Sequence, residues 1–345
     1  MPWTKIAVDD AATDITLGED SAGKRVLTYG QALREAMEQA LKRDPNVFLM
    51  GEGVDDPSGV FGSTLNLHRK FKTRVFDTPI AENCLTGIAV GSALTGLRPV
   101  LVHMRMDFMP LSFDQILNHA AKLCYMSGGR VRVPMVIRSI IGKGWGSAAQ
   151  HSQALHALFI HMPGIKVVMP ATPYDAKGLL LASIADDNPV IFIEHRWLYE
   201  LKCHVPEAEY LIPIGKGVVR KPGKDATIVA LSLMGLEALK AQEKIKGEGI
   251  DLEIIDPRSI QPFDEDIVVE SVKKTGRLII ADPGWSKGGF AEMALGRLHN
   301  KIRPFLKSDV KTVALPDTPT PSSRVLEEAF YKGSDDIIKA VKAVL

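Results

Sequence analysis

Cysteine is scarce: three in 345 residues, Cys84, Cys124 and Cys203, far apart and in no CxxC or zinc-type spacing. That excludes a disulfide framework and a thiolate metal centre, and with no secretory signal it predicts a cytoplasmic protein. Charge of one sign is missing too. Lys and Arg number 42 against 41 Asp and Glu, a net charge of +1, so nothing suggests the basic field of a nucleic-acid binder. Long apolar runs are also absent. The longest, 88–102, is interrupted by Arg98-Pro99 and is too short to span a bilayer. Neither a nucleic-acid nor a membrane partner is expected. Several motifs are lacking as well: a phosphate-binding Gly-Lys-Ser/Thr loop, a GxGxxG after a strand, and a GxSxG at a strand–helix junction. No Gly-Asp-Gly with a downstream Asn is present to hold a metal diphosphate.

What is present is a globular composition, 46% hydrophobic and 24% charged, in a chain long enough for two domains. Residues 1–27 are polar and aperiodic and read as an arm. Beyond them helix and strand alternate. The pattern predicts helices over 28–42 (Thr28 as N-cap), 79–95 and 113–126, and strands over 47–50, 100–104, 134–139, 165–169 and 190–194. Such alternation predicts an α/β fold with a parallel sheet covered on both faces. Pro and Gly cluster over 201–223 and mark a boundary. A second α/β set follows, with strands over 226–231, 252–255, 278–281 and 310–315, and helices over 236–247, 289–299 and from Ser334. The expected domains are 28–205 and 206–345.

Four groups at strand ends could carry chemistry. In Arg74-Val-Phe-Asp-Thr-Pro-Ile-Ala-Glu82, Glu82 stands where a turn becomes an otherwise almost uncharged helix. An acid at a helix start is explained by the dipole alone, but its apolar setting makes the charge costly unless something binds it. His151, in Gln150-His-Ser-Gln153, follows the glycine-rich 142–146 loop, a usual place for an acid–base group. Phe108 follows a strand, where open parallel sheets bind ligands, and so does Glu52 in Gly51-Glu-Gly53. The four together make a pocket more probable than any one does. The chain reads as able to bind part of a charged cofactor but not its phosphates.

From about Thr28 to the C-terminus the sequence resembles the β subunits of thiamine-diphosphate-dependent 2-oxo acid dehydrogenases, the E1 components acting on pyruvate, branched-chain 2-oxo acids or acetoin. The resemblance is densest in the 74–82 segment, Gly96-Leu-Arg-Pro99, Asp114-Gln115, Asn118, Ala120-Ala-Lys122 and Tyr125-Met-Ser-Gly-Gly129. It continues through His151-Ser-Gln153, Pro163-Gly-Ile-Lys-Val-Val168, Asp175-Ala-Lys-Gly178 and Asp187-Asn-Pro-Val190. It implies two mostly parallel sheet domains, a pyrimidine-binding domain followed by a transketolase C-terminal domain. It also implies that Glu82 hydrogen-bonds N1′ of the cofactor's aminopyrimidine, that Phe108 stacks on that ring, and that Glu52 lies near it. His151 would line the substrate side and assist acylation of a lipoyl group. The diphosphate and its Mg²⁺ would be held by an α subunit in an α2β2 heterotetramer, with a lipoyl-bearing E2 as acyl acceptor. A structural K⁺ would sit on Met135, Ser183, Ile184, Asp186 and Asn188, mainly through backbone carbonyls.

The strand before Phe108 departs from the family pattern. Where a Glu followed by Ile and Gln is usual, this chain has Val102-His-Met-Arg-Met106. Arg105 and Lys143 suggest a substrate with polar or anionic groups. One rival enzyme stays open on sequence, a two-subunit carboligase or transketolase-like enzyme without lipoyl transfer; against a scaffold subunit that has lost catalysis stands the retention of Glu82, Phe108 and His151 together.

Overall fold

The computed structural model describes residues 2–9, 25–142 and 146–345. Its centre is a seven-stranded sheet. The spatial order is Ser259–Gln261, Lys166–Val168, Val190–His195, Val136–Ile141, Arg98–His103, Val47–Gly51 and Val75–Asp77. All neighbours run parallel except the first pair, where Ser259–Gln261 lies antiparallel to Lys166–Val168. The second sheet orders Val218–Lys221, Leu252–Asp256, Ala226–Ala230, Leu278–Trp285 and Lys311–Leu315, and only its first strand is antiparallel. The expected α/β architecture of two mostly parallel sheets is therefore observed.

The central strands of both sheets are buried along their whole length: Val136–Ile141, Val190–His195, Ala226–Ala230 and Leu252–Asp256 show no exposed face. That is why they read as continuous apolar runs rather than alternating ones. The helices Tyr29–Arg43 and Pro173–Ala185 pack together on one face of the first sheet. The first carries a full capping box, with the Thr28 hydroxyl accepting from Gln31 N and the Gln31 amide accepting from Thr28 N. On the other face one apolar cluster runs from Leu101, Ile137 and Phe159 into Ile255, Ile280 and Phe290, so the two sheets share a core.

Charged pairs also join the halves. Asp175 on the helix Pro173–Ala185 meets Arg220 and Arg258, and Arg220 also meets Asp256, all fully or nearly fully buried. His156 and Asp282, 126 residues apart, form a second buried pair with Nε2 and Oδ1 at 2.9 Å. Residues 2–9 lie on the body: Ala7–Val8 pairs parallel to Tyr210–Leu211, and the Trp3 indole N–H donates to Asp44. Among the described residues no helix is long and apolar enough to cross a membrane.

Two expected helices differ in detail. The 79–95 helix starts only at Glu82, because Thr78 to Ala81 stay outside it, with Ala81 at φ −159. A proline restricts the residue before it to extended backbone, so the turn persists through Thr78-Pro79. The 113–126 helix contains a π-helical stretch, Gln115–Ala120, before the α-helix Ala121–Met126.

Candidate active site at the strand ends

The first sheet ends its parallel strands on one edge, and the expected residues gather there. Val47–Gly51 delivers Glu52. Gly51 has φ +139, and a Cβ on it would stand 2.3 Å from Val102 O, so only glycine lets this strand end lie so close to its neighbour. Glu52 N then donates to Val102 O at 3.4 Å, and Gly53 N to Asp77 Oδ1 at 2.7 Å. Glu52 is thus held between two strand ends. Its side chain is half-buried, with Oε1 sequestered and without a partner among the described residues. Burial pushes its carboxyl above the usual range, and the charges of Glu82 and Asp77 push the same way.

Glu82 is the first residue of the helix Glu82–Leu94 and is 7% exposed. The Thr86 hydroxyl donates to Glu82 O at 2.7 Å and sits 3.0 Å from His103 Nε2. Because the single hydroxyl proton goes to Glu82 O, His103 Nε2 carries the proton and donates to Thr86. His103 is buried, and burial alone pushes its pKa down to about 4, so at neutral pH it is an uncharged imidazole. The unusual histidine of this strand therefore braces the first turn of the Glu82 helix.

After Arg98–His103 the chain turns through the 3-10 segment Met106–Ser112. Met106 and Met109 are buried, and Phe108 between them is half-buried on the open side. The His151 ring, itself exposed, meets Phe108 edge-on, with centroids 5.3 Å apart at 74°. Asp107 Oδ1 accepts from Gln153 N at 3.0 Å, and Arg105 Nη1 donates to Gly142 O at 3.0 Å. Lys143, expected to join Arg105 in facing a substrate anion, lies outside the described residues. The fold thus groups Glu52 with Glu82, and Phe108 with His151, on one sheet edge. The buried Glu82 and the half-buried Glu52, whose Oε1 has no partner among the described residues, fit a nitrogen heterocycle that can share or donate a proton.

Met135, Ser183, Ile184, Asp186 and Asn188 lie elsewhere, around the C-terminus of the helix Pro173–Ala185. Arg98 Nη1 donates to Ile184 O at 3.1 Å and Asp186 O at 2.9 Å, while Met135 O accepts from Val190 N at 3.0 Å. The Asp186 carboxylate takes Lys166 and the Asn188 amide. A cation here would use the second lone pair of carbonyls that already accept one hydrogen bond.

Sequence reasoning missed Asp107 as a partner of the histidine loop and His156 with Asp282 as a pair. The first had a signal, an acid two residues from Arg105 beside the expected stacking ring. The second had none, since neither residue belongs to a motif.

Comparison with known proteins agrees with this geometry. Residues 25–202 match the transketolase pyrimidine binding domain and residues 215–337 the transketolase C-terminal domain. The β subunit of acetoin:2,6-dichlorophenolindophenol oxidoreductase from Cupriavidus necator is 41% identical over 331 residues, covering 93% of this chain and 98% of that one. The pyruvate dehydrogenase E1 component subunit beta of Rhizobium meliloti is 42% identical over 320 residues, covering 92% of this chain and 70% of that one. The chain belongs to the transketolase-like E1 β-subunit family. A solved structure titled "Split gene transketolase, inactive beta4 tetramer" superposes on this member with a TM-score of 0.74 at 23% identity. It covers 92% of this chain and 98% of its own, and it speaks for the fold alone.

Proposed function

We propose that this chain is the β half of a thiamine-diphosphate-dependent 2-oxo acid dehydrogenase. With an α partner, in an α2β2 assembly, it decarboxylates a pyruvate-like 2-oxo acid and passes the acyl group to the lipoyl arm of an E2. The observation that carries the reading is the Glu52–Glu82 pair: a buried carboxylate next to a second one whose pKa is raised and whose Oε1 has no partner among the described residues, on the same sheet edge as the half-buried Phe108 ring. Relatives named for pyruvate dehydrogenase E1 and acetoin oxidoreductase β subunits support it.

Thiamine diphosphate, when bound, supplies the carbon nucleophile at its thiazolium C2 and the electron sink for decarboxylation. This chain's residues would handle the pyrimidine half. Glu82, buried at the start of its helix, would hold a proton at N1′ of the ring. Phe108 offers a face for stacking. His151, exposed at the pocket mouth, donates a proton to the incoming dithiolane sulfur. No phosphate-binding loop was found in the sequence, so the diphosphate and Mg²⁺ are assigned to the α partner. A K⁺ on the carbonyls of Met135, Ser183, Ile184, Asp186 and Asn188 completes the reading. A thermal midpoint that rises with K⁺ and not with Li⁺ would support it.

The test is reconstitution with the α partner. Pyruvate-like substrates should drive both 2,6-dichlorophenolindophenol reduction and acylation of a lipoyl domain. Carbon–carbon bond formation with an added aldehyde, and no lipoyl acylation, would replace this reading by the carboligase. His151→Ala should lower lipoyl acylation about a hundredfold or more beyond its effect on dye reduction, the usual size of a lost acid–base group. Equal losses in both assays would take His151 out of acyl transfer.

A further inference from the structure

Arg105 and Asp107 leave the same turn, two residues apart, and each holds a backbone group of the neighbouring chain. Arg105 Nη1 donates to the carbonyl of Gly142, the residue that follows the strand Val136–Ile141. Asp107 Oδ1 accepts the backbone N–H of Gln153, two residues past His151. Phe108, next in the chain, supplies the ring against which the His151 imidazole rests. Neither charge comes cheaply. Burial pushes the Arg105 pKa down and the Asp107 carboxyl up, and Asp107 Oδ2 is sequestered with no partner among the described residues. The apolar packing of this turn is done by Met106 and Met109, both 0% exposed, so closing the core does not require either charge. His151 is exposed and meets Phe108 edge-on, so its place depends on how the backbone around it is held.

We propose that Arg105 and Asp107 are positioning residues: they clasp Gly142 and Gln153 and so hold the His151 imidazole against Phe108. This rests on the proposed role of His151 in acyl transfer. It also assigns Arg105 to the loop backbone rather than to a substrate anion.

The experiment uses the assembled α-containing holoenzyme and two readouts. The first is amide hydrogen exchange at Gln153, which needs no catalysis. Asp107→Ala should speed it about tenfold, the loss of one hydrogen bond of roughly 1.4 kcal/mol. Asp107→Asn keeps an oxygen acceptor and should stay within about threefold of wild type. The second is the rate of lipoyl-domain acylation. Asp107→Ala should lower it about tenfold, since small misplacements of a reacting group cost rate steeply. In an Asp107→Ala/His151→Ala double variant the first substitution should add nothing, as expected for two groups acting as a unit. Arg105→Met should lower acylation comparably without raising KM for the 2-oxo acid. Unchanged exchange at Gln153, or an Asp107→Ala loss that persists in the His151→Ala background, overturns the clasp. A raised KM for the 2-oxo acid with acylation intact returns Arg105 to the substrate. If the wild-type holoenzyme acylates no lipoyl domain, the proposed function fails, while the exchange measurement still judges the Asp107 contact.

Discussion

Two kinds of buried acid occupy this molecule. Asp175 and Asp282 are fully buried, yet neighbouring groups, Arg220 and Arg258 for the first and the hydrogen-bonded His156 for the second, hold both carboxyls below the usual carboxylate range. Glu194, also fully buried, is paired by geometry, gripped by Arg138 at 2.6 and 3.0 Å and by the Tyr199 hydroxyl. Glu52 and Asp107 are less buried, yet desolvation pushes both carboxyls up, because Glu52 faces only acids and Arg105 offsets little at Asp107. Burial alone therefore does not mark function here. Between these acids the difference is whether the fold supplied the counter-charge; Asp256, which shares Arg220 with Asp175, has a raised pKa despite its pair. Where it did, the acid ties strands and domains together. Where it did not, Asp107 serves the loop backbone, and Glu52, beside Glu82, is left for a ligand to satisfy.

The paired class breaks hardest. Glu194→Leu strands Arg138, which is 1% exposed, and should cost about 3–5 kcal/mol of stability. A urea titration checks this, and a shift below about 1 kcal/mol would move Glu194 out of the structural class. The interdomain pair gives a smaller, pH-dependent effect. A depressed folded pKa means that Asp282 contributes stability above its unfolded pKa of about 3.9. That stability is lost as pH falls through the folded value. Asp282→Asn should therefore lower the thermal midpoint at pH 7 and flatten its fall between about pH 4 and pH 2. A curve parallel to wild type through that window would contradict the assignment.

The unpaired class should respond with the opposite sign. A raised folded pKa means that the Glu52 charge opposes folding as pH rises through the carboxylate range. Glu52→Gln should leave the thermal midpoint at pH 7 equal or slightly higher, with turnover reduced, the trade-off expected of a functional site. A lowered midpoint with turnover intact would place Glu52 among the structural acids.

Much of this was legible in the sequence because the signals were local. Helix and strand alternated with buried apolar runs, and Glu82 stood out as one charge at the start of an uncharged helix. What was not legible was non-local or irregular. Ser259–Gln261 lies in the second half of the chain yet edges the first sheet, and three residues carry no period to announce it. The π-helical turn Gln115–Ala120 keeps helix composition and so reads as plain helix. His156 found Asp282 across 126 residues, and Asp107 found a backbone N–H rather than a side chain. Partners of that kind leave no pattern in a linear sequence.

The claim that the Glu52–Glu82 pair marks the cofactor site is tested most directly at Glu82, by hydrogen–deuterium exchange at C2 of thiamine diphosphate bound to the assembled enzyme. Wild type should exchange C2 faster than turnover. Glu82→Gln should slow that exchange about a hundredfold or more with the folded assembly intact, as loss of a positioned acid–base group requires. Exchange at the wild-type rate in the Glu82→Gln assembly would contradict the account.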